Sequence, residues 1–197
     1  MPHDLPVYVI DDDPDVCAAI AVVLRLRGVD TRTYTSPAAF LDELAALPPG
    51  VIVSDICMPQ VDGLDLVRQL QARDRRDPVV LITGHADVPL AVRALKAGAR
   101  DFLSKPFDAA TLIDAIVASG GRTATRDRTA TDRLRLLSRR ERQVFDQLID
   151  GGTNKQIAFK LGLSPRTVEV YRAKLMDKLE VRSLSQLVRT GVEARLV

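Results

Sequence analysis

The chain has 197 residues, 46% of them apolar and 27% charged, with a formal net charge of +2. That length allows one large domain or two small ones with real cores, and no apolar run approaches the ~18 residues of a membrane-crossing helix. Residues 1–120 hold 11 Lys and Arg against 17 Asp and Glu, a net of −6, whereas residues 121–197 hold 17 against 9, a net of +8. An acidic half followed by a basic half points to a polyanion-binding module at the second end.

The start, MPHDLPVYVI, lacks a basic segment followed by an apolar one, so no secretory signal is expected. Two cysteines, Cys17 and Cys57, without a C-x-x-C or histidines at ligand spacing, fit a reducing cytoplasm and argue against a disulfide framework or a zinc site. Apolar runs at Val7–Ile10, Val51–Val53 and Val79–Ile82, with weaker ones at Val29–Tyr34 and Phe102–Leu103, read as strands covered on both faces. Helical stretches lie between them. Asp13-Pro14 and Ser36-Pro37 each place a capping side chain before a proline at the first helical position. Gly28 and Gly98 stand where two helices should stop. Five strands alternating with five helices predict a doubly wound α/β fold with a parallel sheet.

The polar segment SGGRTATRDRTATDR, Ser119 to Arg133, reads as a linker. Helical signals then resume. Ser138-x-x-Glu141 is a capping box ahead of Val144, Phe145, Leu148 and Ile149, and Gly151-Gly152 ends that helix. Thr153-x-x-Gln156 opens a short helix to Leu161, Ser164-Pro165 starts another running to about Leu179, and Ser183 begins a fourth. The expected organisation is a domain over 1–120, a linker over 121–136 and a small all-α domain over 137–197.

In a parallel sheet, ligands sit outside the carboxyl ends of the strands. There the first strand ends in Asp11, Asp12 and Asp13, the third in Asp55 and the fourth in Thr83, and the fifth runs into Lys105-Pro106. Carboxylates converging in a cleft repel unless a hard cation sits among them, and Mg²⁺ suits an oxygen cluster. A lysine and a hydroxyl beside them suit a phosphoryl oxygen. Any one such Asp is more often a cap or turn residue; their joint placement favours chemistry.

With the motifs VIDDDP, DICMPQVDG, LITGHAD and DFLSKPF, residues 5–118 resemble the receiver domain of two-component response regulators. The resemblance implies a flavodoxin-like (βα)5 fold and Asp55 as the phosphoacceptor, phosphorylated by a partner sensor histidine kinase. It also implies Mg²⁺ held by Asp11, Asp12, Asp55 and the backbone carbonyl of Cys57. Thr83 and Lys105 would contact the phosphoryl group, Lys105-Pro106 would be cis, and Thr83 with Phe102 would form a switch. Cys57 and His85 occupy positions that influence phosphoryl lifetime in that family.

In the basic half, a short capped helix, a turn at Gly162 and a helix from Ser164 form a helix-turn-helix. On a helical wheel Val168, Leu175 and Leu179 share one side, flanked by Tyr171 and Arg172, opposite Arg166, Glu169, Val170, Ala173, Lys174 and Asp177. The segment from Leu137 to about Val192 resembles the LuxR-type helix-turn-helix of the FixJ/NarL class, most closely in TNKQIAFKLGLSPRTVEVY. This implies phosphate contacts from Lys155, Thr167, Tyr171 and Lys174, base-edge contacts from Glu169, Val170 and Ala173, and either from Arg166.

The combined reading is a cytoplasmic transcription regulator, not an enzyme. Phosphorylation would control homodimerisation and binding to promoter half-sites in double-stranded DNA, with RNA polymerase a further partner it allows. A constitutive DNA-binding regulator and a Mg²⁺-dependent aspartyl phosphohydrolase are the alternatives. The phosphohydrolase needs a second Asp where Cys57 stands, and the intact Asp12, Asp55, Thr83 and Lys105 set argues against the constitutive regulator.

Overall fold

A computed structural model describes residues 5–84, 88–120, 134–181 and 184–195. His85, Asp87, most of the expected linker and Ser183 lie outside the described residues. Contacts divide the chain into two compact units, Met1–His85 with Ala97–Arg122, and Ala86–Lys96 with Thr123–Val197.

The first unit is built on a five-stranded parallel sheet: β1 (Val7–Ile10), β2 (Thr31–Tyr34), β3 (Val51–Asp55), β4 (Val79–Thr83) and β5 (Asp101–Ser104). The strand order is β2-β1-β3-β4-β5. Val7, Val9, Val51, Val53, Val80 and Ile82 are essentially inaccessible to solvent. β-branched side chains pack well on a pleated surface, and each one fully buried stabilises by ~1.5–3 kcal/mol. They form one core with Cys17, Ile20 and Leu24 on one helix and Leu112, Ala115 and Ile116 on another.

Among the described residues this unit has four α-helices, α1 (Pro14–Arg25), α2 (Pro37–Glu43), α3 (Gly63–Ala72) and α5 (Ala109–Gly120), and a short 3-10 turn at Leu44–Ala46. The expected caps are present. Asp13 accepts from the Asp15 amide ahead of α1, and Ser36 accepts from the Ala39 amide ahead of α2. Gly28, beyond the end of α1, has φ +76°, a left-handed conformation that a side chain would strain.

β3 ends at Asp55 and β4 at Thr83, as expected, with Ser54 and Asp55 pairing opposite Leu81 and Ile82. Two strands differ from the sequence reading. β5 runs from Asp101 to Ser104, one residue longer at each end than its apolar pair. β2 begins at Thr31 rather than Val29.

The second unit contains α4 (Val88–Lys96), α6 (Arg139–Ile149), α7 (Asn154–Leu161), α8 (Pro165–Lys178) and α9 (Leu184–Arg195). Its core joins Val144, Phe145, Leu148 and Ile149 of α6, Ile157 and Ala158 of α7, Val168 and Leu175 of α8, and Leu187 and Val188 of α9. Val92 of α4 is buried in the same cluster. α4 therefore counts with the second compact unit, its apolar stripe buried among these helices. Both expected capping boxes close reciprocally, Ser138 with Glu141 and Thr153 with Gln156.

Candidate functional site

The expected site residues fall into two groups, one in each unit. The first lies at the carboxyl edge of the sheet. β3 is central, flanked by β1 and β4, so Asp11 just after β1, Asp55 at the end of β3 and Thr83 at the end of β4 emerge side by side. Lys105, just after β5, is fixed by its backbone N–H donating to the Thr83 carbonyl at 2.7 Å, and the Lys105-Pro106 bond is cis, as expected.

From there the lysine side chain reaches across the edge. Its Nζ donates to Asp11 Oδ2 at 2.7 Å and to Asp55 Oδ1 at 2.7 Å. The Asp11 and Asp55 side chains are nearly buried, 2% and 8% exposed, while that of Lys105 is 27% exposed. Burial alone would lower the lysine pKa; hydrogen bonds to Asp11 and Asp55 outweigh it and hold the ammonium above its ordinary value.

The other Asp55 oxygen, Oδ2, accepts from the Cys57 amide N–H. Asp11 Oδ1 accepts from the Asp13 amide at 3.0 Å. Thr83 is buried, and its Oγ1 lies 3.8 Å from Cys57 Sγ. Phe102 is buried on β5, paired in register with Leu81.

The structure thus brings together Asp11, Asp55 and Lys105, with Thr83 and Cys57 beside them. Asp12 is exposed next to this group. Among the described residues, no three acidic, histidine or cysteine side chains are close enough to hold a metal ion. The donor set still fits a hard cation: two carboxylate oxygens already converge on one positive centre, and every side-chain donor is oxygen.

The second group lies on α7 and α8. Gly162 closes α7 in the left-handed conformation, φ +62° and ψ +43°, and the Ser164 side chain accepts from the Thr167 amide to start α8. Val168, Leu175 and Leu179 are buried, as the wheel predicts. Lys155, Arg166, Glu169, Val170, Ala173 and Lys174 are exposed. Thr167 and Tyr171 are half-buried: the Thr167 hydroxyl lies 2.8 Å from that of Ser164, and Tyr171 packs on the helical core. Those two are less available to a ligand than the other six.

The sequence reading missed Asn154. It lies at the start of α7, bonded to both Arg172 and Glu169 of α8. Only the polar character of Arg172, on the otherwise apolar flank of the wheel, hinted at such a partner.

Comparison with known proteins matches a family to each part of the chain. The response regulator receiver domain matches residues 7–117, and the luxR family of bacterial regulatory proteins matches residues 135–190. The chain is 49% identical to the transcriptional regulatory protein FixJ of Azorhizobium caulinodans, over 98% of this chain and 95% of that protein. It is 40% identical to FixJ of Rhizobium meliloti, over 96% of each. The crystal structure of full-length FixJ from B. japonicum is similar with a TM-score of 0.57 at 41% identity, covering 98% of both chains.

Proposed function

Since the chain belongs to the FixJ family of response regulators, which join a receiver to a LuxR-type DNA-binding domain, we propose that it regulates transcription through phosphorylation at Asp55. The observation that carries this reading is Lys105 Nζ lying 2.7 Å from both Asp11 and Asp55 at the carboxyl edge of the sheet. The receiver spans 1–120, the linker 121–136 and the DNA-binding domain 137–197.

A partner histidine kinase supplies the phosphoryl group. A carboxylate oxygen of Asp55 attacks the phosphorus of a phosphohistidine, and the imidazole nitrogen leaves. Lys105 supplies positive charge beside the transferring group, and the Thr83 hydroxyl hydrogen-bonds a phosphoryl oxygen. Mg²⁺, held by Asp11, Asp12, Asp55 and the Cys57 carbonyl, would neutralise further charge on that group. As Thr83 moves toward the phosphoryl oxygens, Phe102 adjusts and shifts the population of surface arrangements around α4 and β5.

The product is an acyl phosphate on the chain itself, a regulatory mark and not a released product. Two copies then pair through the receiver, and the dimer binds two promoter half-sites. Pairing multiplies DNA affinity without new contacts per copy. Lys155, Thr167, Tyr171 and Lys174 contact phosphates, Glu169, Val170 and Ala173 face base edges, and Arg166 serves either. An outward carboxylate is disfavoured near phosphates but accepts well from a cytosine amino group, which makes Glu169 the specificity residue. No helix among the described residues is long and apolar enough to cross a membrane, and we place the protein in the cytoplasm.

The test is to phosphorylate the full chain with a small acyl-phosphate donor in Mg²⁺, then measure oligomeric state and binding to promoter DNA. Expected are a labile modification abolished by Asp55→Asn, a shift from monomer to dimer, and tighter DNA binding. A phosphorylated chain that stays monomeric and binds DNA no better overturns the mechanism.

A further inference from the structure

Asn154, Arg172 and Glu169 form a short hydrogen-bonded chain linking α7 to the exposed face of α8. Arg172 Nη1 donates to Asn154 Oδ1 at 3.2 Å, and Asn154 Nδ2 donates to Glu169 Oε1 at 3.4 Å. The three types leave little choice of direction. A guanidinium only donates, a carboxylate only accepts, and a primary amide has one end of each kind. The amide oxygen therefore faces Arg172, and its NH₂ group is turned toward Glu169.

Arg172 is an expensive residue at that position. Burial lowers its pKa, with the charge of Glu169 partly offsetting the effect. Its Nε is buried and has no hydrogen-bond partner among the described residues, which costs free energy because the water it lost is not replaced. A methionine or leucine would fill the same flank of α8 without that cost. Glu169 is exposed, and a free glutamate carries rotamer entropy that reading a base would have to remove. A partner that holds the carboxylate before DNA arrives reduces that cost.

We propose that Asn154 and Arg172 are positioning residues for Glu169: they touch no base, yet they aim and pre-order the carboxylate that reads one. This rests on the reading of Glu169 as a base-contacting residue. Base preference is then set partly from α7, by the residue that fixes the amide.

The test uses the full chain, phosphorylated as above, and selection of bound sequences from a randomised double-stranded DNA library. Individual selected duplexes are then titrated against the variants. Glu169→Ala should lose preference at one base pair of each half-site. Asn154→Ala and Arg172→Met should reduce discrimination at that same base pair by about fivefold, a coupling of ~1 kcal/mol. They should change nothing further in the Glu169→Ala background, and the salt dependence should stay that of the wild type.

Asn154→Asp is the second variant. It keeps the shape and the acceptor for Arg172 but cannot donate to Glu169, so discrimination must fall there even if Arg172→Met does not fold. If Glu169→Ala changes preference nowhere, the base-reading assignment fails and the positioning role falls with it. If Glu169→Ala does change it, while the Asn154 variants keep the wild-type preference or weaken all sequences equally, positioning alone is refuted.

Discussion

Cys57 Sγ lies 3.8 Å from Thr83 Oγ1, which places an exposed, weakly polar side chain against a buried hydroxyl at the mouth of the acidic site. A carboxamide in place of the thiol would add a strong donor and acceptor where water must approach an acyl phosphate. Cys57→Asn should hydrolyse the phosphorylated form faster, by about threefold or more, a barrier change of ~0.7 kcal/mol. Following loss of the phosphoryl label with time checks it; an unchanged rate makes the Cys57 side chain a bystander.

Lys105 is the positive charge shared by two nearly buried acids, so removing it should do two kinds of damage. Lys105→Met leaves Asp11 and Asp55 facing each other without a cation, and loss of one partner of such a group costs about 3–5 kcal/mol when fully buried. The 27% exposure of the lysine side chain puts the expected loss toward the lower end. Thermal unfolding of wild type and variant measures it. The lysine pKa is raised in the folded chain, so its stabilisation is complete below the ordinary lysine value and fades as pH rises through the raised one. Alkaline unfolding of the variant should lack that dependence.

Glu141 gives the opposite dependence. A hydrogen bond from Lys178 and another from the Ser138 amide outweigh burial and hold its pKa down at about 2. A depressed carboxyl contributes stability that is present above its ordinary value of 4.5 and is lost as pH falls toward about 2. Glu141→Gln should destabilise the helical unit by about 2 kcal/mol at neutral pH and flatten its acid dependence. Helical circular dichroism during thermal melts between pH 2 and pH 7 reads both effects.

Lys155 and Lys174 are exposed and are proposed to contact phosphates. Replacing either with Ala should weaken binding to all duplexes alike and reduce the slope of log affinity against log salt by about 1. Titrations at several salt concentrations, on a selected and a scrambled duplex, decide it. A loss confined to one sequence would instead make that lysine a base reader.

Much of this architecture was legible in the chain because the local signals agreed with the global fold. Val7–Ile10 and Val79–Ile82 are continuous apolar runs, and parallel strands buried on both faces require such runs. Caps at Asp13, Ser36, Ser138 and Thr153 are contained within four residues, so they can be read without tertiary knowledge. The neighbours of β3 could not be read in that way, because the pairing of Ser54 with Ile10 of β1 and Leu81 of β4 joins residues far apart in the chain. Nor could the burial of Val92 among the helices of the second unit. An apolar stripe on α4 announces that it will be covered but does not say by what. The bond from Asn154 to Glu169 joins residues 15 apart in sequence across two helices, and no periodicity encodes it.

The double bond made by Lys105 has a further consequence for reversibility. An ammonium has three protons to donate, and two of its directions are already taken by Asp11 and Asp55. On the proposed phosphorylation of Asp55, the arriving group would compete for a lysine that is already engaged, and each contact it gained would be partly exchanged for one that Asp11 or Asp55 gives up. The lysine's own contribution to the modified form would then be the difference between two bonded arrangements, and modest changes at the edge of the site would suffice to bias it.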